Sequence, residues 1–403
     1  MAAWAYVANI RLPSERANTV QVLNQCQALI EAGQDVELIV PRRFNSSAKI
    51  LGLGDLKNAF GLRRLPQIRR LPCLDLTPIA DRLPGPLSVA AFYVQLLSFL
   101  LAALAYLAWK KPQIVYTREV QLPLLAGVIL RRLGLLLLAE LHNCPQSQAG
   151  RLVHNLAFRS LDGLVVISQG LADAFAQADL VPPRLLVAPD GVSERFFKAR
   201  GRQADIRRRL GLPLRKPVIL YAGGLYWAWK GVGTLIEAQR FLGEKAWLVI
   251  VGGSPRREDI DALIKKARRL GLKQITLTGF QPPAKVPDYL RAADILVLPN
   301  SAKTEISRSY TSPLKLFEYL AAGRPVVASD LPSLREVLVH GQNGFLVPPD
   351  DPLKLAAALS ALLDSPGRRK SLARKGRRTA QAYTWQKRAE RIIAFAGAQS
   401  GLK

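Results

Sequence analysis

Lys315 stands where a helix disfavours a cation. In "YTSPLKLFEYLAAGRPVVASD", residues 310–330, Ser312 has the chemistry of an N-cap and Pro313 that of a first helical residue. Lys315 then falls in the first turn, where the helix dipole opposes positive charge by about 0.3–1 kcal/mol. A diphosphate bound at that end would reverse the sign, because amides, dipole and ammonium would all address one anion. The spacing puts Leu314, Phe317 and Ala321 on an apolar stripe facing a sheet and leaves Lys315 and Glu318 on another face. Glu318, one turn deeper, could accept hydrogen bonds from vicinal hydroxyls such as those of a ribose. The plainer alternative is an exposed lysine paired with a surface glutamate three residues on.

A second candidate is "YAGGLYWAWKGVGTLIEA", residues 221–238, which reads as strand, glycine-bearing loop and helix. Gly223 and Gly224 would let the backbone approach a ligand, and nearby amides with Lys230 could hold phosphate oxygens. The stretch lacks the GK[ST] ending of a Walker A loop and is no GxGxxG fingerprint, so a tight turn is the competing reading. Asp259-Ile260-Asp261 is formally a DxD string, but it sits at the polar start of a helix and reads as solvated. No His, Cys, Asp or Glu cluster has metal-ligand spacing, so no metal and no cofactor is expected. Cys26, Cys73 and Cys144 lie too far apart in sequence to suggest a zinc site or a disulfide framework.

These residues need elements to hold them. A chain of 403 residues suits two domains. β-rich runs alternate with helical patterns twice over, which predicts parallel sheets in two doubly wound α/β domains. The first series runs from "WAYVANI" through "DVELIV", "QIVYT", "LLLLAEL" and "GLVVIS" to "RLLVAP". The second runs from "PVILYAG" through "AWLVIVGG", "QITLTGF", "DILVLPN" and "RPVVASD" to "GFLVPPD". The predicted organisation is a domain over 1–190, a basic linker over 191–215, a second domain over 216–380, and a C-terminal helix over 381–403 that packs back on the first. Ligands of such sheets bind outside the carboxyl ends of the strands.

Composition narrows the partners. The 57 Lys+Arg against 30 Asp+Glu give a formal charge of +27, which calls for an anionic partner: nucleic acid, a phospholipid surface or phosphorylated substrates. The basic runs lack interleaved aromatics, which argues against nucleic acid. Residues 41–72 read either as a solvated loop or as a basic surface that settles on anionic lipid, and the basic tail 368–378 as a solvated helix face. Residues 87–109, "LSVAAFYVQLLSFLLAALAYLAW", carry no charge over a length that could cross a bilayer. Their polar and alanine content, with a core-like strand directly after, favours a buried or interfacial helix over a span. The N-terminus reads as a strand and not as a signal peptide, which implies the cytosol.

Over nearly its whole length the chain resembles the retaining glycosyltransferases of family 4. The carriers are "LPSERANTVQVLNQCQALIEAGQDVELIV", "VVISQGLADAF", "APDGVSERF", "GGLYWAWKGVGTLIEA" and above all "SPLKLFEYLAAGRPVVASDLPSLREVLVHGQNGFLVPPDDP", an SPLKLFEY-type donor motif. The resemblance implies the GT-B fold, two Rossmann-like domains with a cleft between them. It implies that Lys230 and the amides around Ser312, Pro313, Leu314 and Lys315 contact a donor diphosphate, with Gly223, Gly224 and Phe280 in the same donor set. Glu318 matches the ribose-binding second glutamate of the family's Glu-x7-Glu motif. Tyr310 stands where the first glutamate falls, and Gly224 where an arginine is common. His142 matches a histidine near the reacting sugar. Asn18, Arg118, Glu119 and Glu140 form the expected acceptor side.

The expected activity is transfer of a sugar, with retention, from a nucleotide-diphosphate sugar to a glycan or lipid-linked acceptor at the inner face of the cytoplasmic membrane. His142, Lys230 and Lys315 are the expected catalytic residues. The rival readings are a sugar-nucleotide epimerase on the same fold and a noncatalytic basic nucleic-acid or lipid binder.

Overall fold

A computed structural model describes residues 2–14, 16–44, 55–76, 85–198, 201–226, 228–254 and 256–400. Residues 45–54 of the basic stretch and 199–200 of the expected linker lie outside the described residues. The chain divides into two units, Met1–Pro189 with Trp385–Lys403, and Asp190–Thr384.

The first unit holds β1 (Ala3–Val7), β2 (Asp35–Pro41), β3 (Gln67–Leu71), β4 (Ile114–Thr117), β5 (Leu136–Leu141), β6 (Gly163–Val166) and β7 (Leu185–Val187). They form one sheet in the order β3-β2-β1-β4-β5-β6-β7, with every neighbouring pair parallel. Central strands of such a sheet are covered on both faces, so they read as unbroken apolar runs. Accordingly β4 is buried throughout. β3 was not foreseen: the stretch read as loop or basic surface contributes an edge strand. Its exposed Gln67, Arg69 and Arg70 make it a charged sheet edge, which discourages pairing with another chain.

The helix Gly85–Lys110 belongs to this unit. Three of its polar residues bond to other segments of the unit: Gln95 Nε2 donates to Asn9 Oδ1 at 3.1 Å, Ser98 Oγ accepts from the Leu74 amide at 2.9 Å, and the Tyr106 hydroxyl donates to Glu37 at 2.8 Å. The helix Trp385–Ser400 packs against the helix Ala17–Glu31 in the same unit.

The second unit repeats the plan. β8 (Val218–Ala222), β9 (Trp247–Val251), β10 (Ile275–Leu277), β11 (Ile295–Leu298), β12 (Val326–Ser329) and β13 (Phe345–Val347) are ordered β10-β9-β8-β11-β12-β13, again all parallel. The residues read as a linker are folded into this unit. Arg207 pairs with Asp294 at 2.6 Å and donates to the Ala292 carbonyl at 2.8 Å, and Phe196 and Ile206 are buried in its core. The basic tail is the helix Pro366–Ala380, where Arg377 is more than a solvated charge. It donates to the carbonyls of Ala321 at 3.0 Å and Phe197 at 2.7 Å, satisfying the end of the helix Leu314–Ala321.

Candidate functional site

In both sheets the strand order reverses beside the first strand of the unit, between β1 and β4 and between β8 and β11. The carboxyl ends of strands at such a reversal are where ligands bind in open α/β sheets. Each unit carries a polar constellation there.

In the second unit the helix Leu314–Ala321 starts one residue later than expected. Pro313 is extended (φ −73°, ψ 119°) and holds the cap position without a side-chain bond. Ser312 is not the N-cap, because its Oγ accepts from the Asp190 amide at 3.2 Å instead. Lys315 still lies in the first turn. The buried face is Leu316, Phe317, Tyr319, Leu320 and Ala321, whereas Leu314, assigned to the stripe, is only half-buried.

Lys315 reaches back across the sheet end, and its Nζ donates to the Tyr221 hydroxyl at 2.7 Å while lying 4.4 Å from the centre of that ring. The Tyr221 hydroxyl passes its own hydrogen to the Gly224 carbonyl at 3.2 Å. The glycine at 223 leaves the room: a Cβ there would lie 2.3 Å from Lys315 Nζ.

Lys230 closes the turn Ala228–Lys230 and is buried, with its Nζ 4.6 Å from the Tyr226 ring centre and 5.6 Å from that of Trp229. Two devices fix that turn to the end of β11. The Ser301 amide donates to the Trp229 carbonyl at 2.7 Å, and Gly231 (φ +66°) lies so close that a Cβ would come within 1.6 Å of the Pro299 carbonyl oxygen. Only glycine fits such a position.

Burial lowers the Lys230 pKa to about 8. Lys315 is pushed well below the ordinary lysine value by burial first and then by the charge of Lys230, with Glu318 opposing. Among the described residues neither lysine forms a salt bridge. Glu318 is half-buried, its pKa raised by burial and held back by Arg195 and Lys315. Burial and mutual repulsion thus disfavour the charged form of both lysines in the unliganded protein.

Phe280 follows β10 and borders Gly253, where a Cβ would lie 3.1 Å from the Phe280 Cβ. Tyr310 is buried at the end of the wide turn Ile306–Tyr310. Glu305 is bonded to Arg308 and accepts from Ser309 Oγ at 2.8 Å, so its carboxylate is already engaged locally.

In the first unit a cavity of about 340 Å³ opens at the ends of β1, β4 and β5. Asn18, Arg118, Glu119 and His142 line it, as does Asn9. Glu140 does not. It is wholly buried behind the cavity, paired with Arg388 at 3.0 Å and bonded by the Tyr116 hydroxyl and by Gln21 Nε2 at 2.6 Å. An inward-facing position on β5 cannot touch an acceptor, so its assignment to the acceptor side is corrected.

What Glu140 does is orient His142, whose Nε2 lies 2.7 Å from Glu140 Oε1. Burial alone would raise the Glu140 pKa, but Arg388, the His142 hydrogen bond and Arg118 hold it well below the carboxylate range. An ionised carboxylate can only accept, so Nε2 carries the hydrogen and Nδ1 is left as an acceptor. Burial and then the Arg118 charge lower the His142 pKa to about 4, so the ring is neutral at physiological pH. Arg118 itself is steered by Gln21 at 2.6 Å, and Glu119, raised by burial, accepts from the Asn9 amide at 3.0 Å. The Asn18 Oδ1 accepts from the Thr19 amide at 2.9 Å.

Sequence reasoning missed Tyr221, Arg195, Asn9 and Arg388. A tyrosine at a strand end needs a partner for its hydroxyl, which was a usable signal. Nothing in sequence could join Arg195 to Glu318 or Arg388 to Glu140. Asn9 Nδ2 is buried without a hydrogen-bond partner among the described residues, at the cavity wall.

The two parallel-sheet units with the same strand order define the GT-B fold class. Two family models match the chain, a glycosyl transferase 4-like domain over residues 19–191 and the glycosyl transferases group 1 over 216–365. The chain is related to these two glycosyl transferase families. Among curated proteins it is 32% identical over 265 residues to a D-inositol 3-phosphate glycosyltransferase of Xylanimonas cellulosilytica, covering 62% of this chain and 60% of that one. Similar matches cover 52% and 47% of the next relatives, so the similarity spans about half the length of the curated relatives.

Two solved structures share the fold at low identity. Sucrose-phosphate synthase from Thermosynechococcus elongatus matches with a TM-score of 0.76 at 21% identity, over 100% of both chains. Anabaena HepE in complex with UDP-glucose matches at 0.75 and 18%, over 98% of this chain and 100% of that one.

Proposed function

We propose that the protein is a retaining glycosyltransferase of the family 4 kind. The second unit holds a nucleotide-diphosphate sugar, and the first holds a hydroxyl-bearing glycan or lipid-linked acceptor at the inner face of the cytoplasmic membrane. The observation that carries the reading is the Lys230–Lys315 pair at the strand ends beside the Glu318 carboxylate, Lys230 buried and Lys315 half-buried with its Nζ bonded to the Tyr221 hydroxyl.

Cleavage of an anomeric bond builds negative charge on the leaving diphosphate. The two lysines and the free amides of the helix Leu314–Ala321 would stabilise that charge in place, with no reorganisation at the moment of reaction. Glu318 would accept from the ribose hydroxyls. The unprotonated Nδ1 of His142 would accept from a sugar hydroxyl, and Asn9 Nδ2 and Arg118 supply donors in the same cavity.

The reading is tested by thermal stabilisation across nucleoside diphosphates and their sugars, followed by product analysis with and without glycan acceptors. A bound nucleotide raises the unfolding temperature by mass action. Stabilisation by at least one diphosphate, lost in Lys230→Met, is the expected result. Sugar consumed without an acceptor to a new sugar nucleotide would identify an epimerase instead.

A pH dependence accompanies it. Lys230 has a pKa of about 8 in the free protein, and a bound diphosphate raises it. Below pH 8 the lysine is charged in both states and affinity is insensitive to its titration. Above it, the free protein must take up a proton to bind. Affinity is expected to weaken by up to about tenfold per pH unit until the bound-state pKa is passed. Titration calorimetry in buffers of different ionisation enthalpy should register proton uptake near pH 8. A flat profile shared by Lys230→Met would remove Lys230 from the phosphate site.

A further inference from the structure

Fourteen of the twenty-four large apolar side chains exposed among the described residues fall between Leu87 and Leu156. They concentrate on three helices of the first unit: Gly85–Lys110, Gln121–Arg132 and Gln148–Phe158. The first packs on the second and the second on the third. A Cβ at Gly127 of the second would lie 2.3 Å from the Ser160 Cβ just beyond the third, so the backbones are close.

Along Gly85–Lys110 the residues Tyr93, Leu97, Leu101, Ala105 and Trp109 recur every fourth position, and all are exposed. That stripe is about 24 Å long at 1.5 Å per residue. Leu125, Val128 and Ile129 extend it on the second helix, and Leu152 and Leu156 on the third. A helix that meets water carries polar residues on its outer face, yet here Gln95, Ser98 and Tyr106 are all bonded to other segments of the unit. An exposed apolar surface of this extent marks an interaction site.

The charges around it select the partner. Residues 85–161 contain seven Lys/Arg and two carboxylates. Six of the cations are exposed, Lys110, Lys111, Arg131, Arg132, Arg151 and Arg159, of which Arg131 is paired at 3.7 Å with Asp162 just beyond this stretch. The carboxylates face elsewhere, Glu119 to the cavity and Glu140 to the interior. A second copy meeting this face would oppose like charges, which disfavours self-association. An anionic bilayer offers apolar depth and negative headgroups together.

We propose that the three-helix face of the first unit, with the stripe Tyr93–Leu97–Leu101–Trp109 at its centre, is the surface by which the protein lies on an anionic lipid membrane. The helix Gly85–Lys110 rests in the interface and does not cross it. Its other face, with Leu96, Phe99, Ala103 and Leu107, is committed to the core of the unit. This deepens the membrane side of the proposed function, but its test uses neither nucleotide nor turnover, so the two can fail separately.

The test is flotation of the full chain with phosphatidylcholine vesicles, with and without phosphatidylglycerol. Wild type is expected to float only with the anionic vesicles. The variants Leu97→Ser/Leu101→Ser and Leu97→Glu/Leu101→Glu are expected to lose about tenfold or more of the bound fraction. Both should keep the wild-type unfolding temperature, because the replaced side chains are exposed. Leu353→Glu, on an exposed site of the second unit, should bind like wild type. No binding by wild type, or undiminished binding by the serine variant, overturns the proposal. So does a dimer in lipid-free solution that the serine variant dissociates, since the face would then belong to a second copy.

Discussion

Replacing Lys315 by methionine is expected to make the unliganded protein more stable and the liganded one far weaker. The lysine buries its ammonium beside Lys230, with the Tyr221 hydroxyl as its hydrogen-bond acceptor. Methionine keeps most of the side-chain volume and removes the charge, and Tyr221 keeps its bond to the Gly224 carbonyl. A gain of about 1 kcal/mol, seen as a rise of a few degrees in Tm, is the expected scale for relieving a destabilised functional group. Loss of a charged hydrogen-bonding partner costs about 2–3 kcal/mol of binding, so nucleoside-diphosphate affinity should fall about 30- to 150-fold. Calorimetric titration and melting of the same sample report both numbers. Unchanged affinity would return Lys315 to the surface lysines, whatever happened to Tm.

The opposite balance is expected at Arg388. Its guanidinium meets Glu140 at 3.0 Å with both side chains almost wholly excluded from solvent, and it also bonds to Gln25 and to the carbonyls of Ala188 and Pro189. Arg388→Met leaves a buried carboxylate without its main counter-charge, which costs about 3–5 kcal/mol. A pH series separates this from a packing defect. In wild type the Glu140 pKa is depressed, so the stability it confers is full above its ordinary value of 4.5 and fades as pH falls through the lower folded one. In the variant burial goes unopposed by Arg388 and the pKa rises, so acid now relieves the variant. The difference in unfolding free energy should therefore be largest near neutral pH and shrink towards pH 4. A difference constant with pH would mean that packing, not charge, was lost.

The parallel sheets were legible because both faces of their central strands are covered. Apolar runs such as "LLLLAEL" admit few other readings. β3 escaped because an edge strand rich in arginine has the composition of a loop, and only its pairing with β2 distinguishes the two. Lys315 was legible as a candidate for an electrostatic reason: a cation in the first turn of a helix contradicts the local preference. The cap beneath Lys315 was misread. Ser312 has the right chemistry for it, and sequence could not show that the Asp190 amide would claim its oxygen. Glu140 was placed on the cavity wall because alternation puts it on the same face as His142, two residues on, and sequence could not show that Arg388 and Tyr116 would claim its carboxylate beneath that histidine. Long-range partners such as Tyr221 for Lys315 follow from topology alone.

The helix Trp385–Ser400 has a consequence for how the protein is made. Synthesis runs from the N-terminus, and every residue of the second unit, Asp190–Thr384, is continuous in the chain. When Thr384 has left the ribosome that unit has all its residues. The unit begun first still lacks a helix and the only arginine that meets Glu140 among the described residues. Until then Glu140 lacks its main counter-charge and has only the weaker influence of Arg118 and His142. The later half is thus the one able to mature ahead of the earlier, reversing the usual order of vectorial folding.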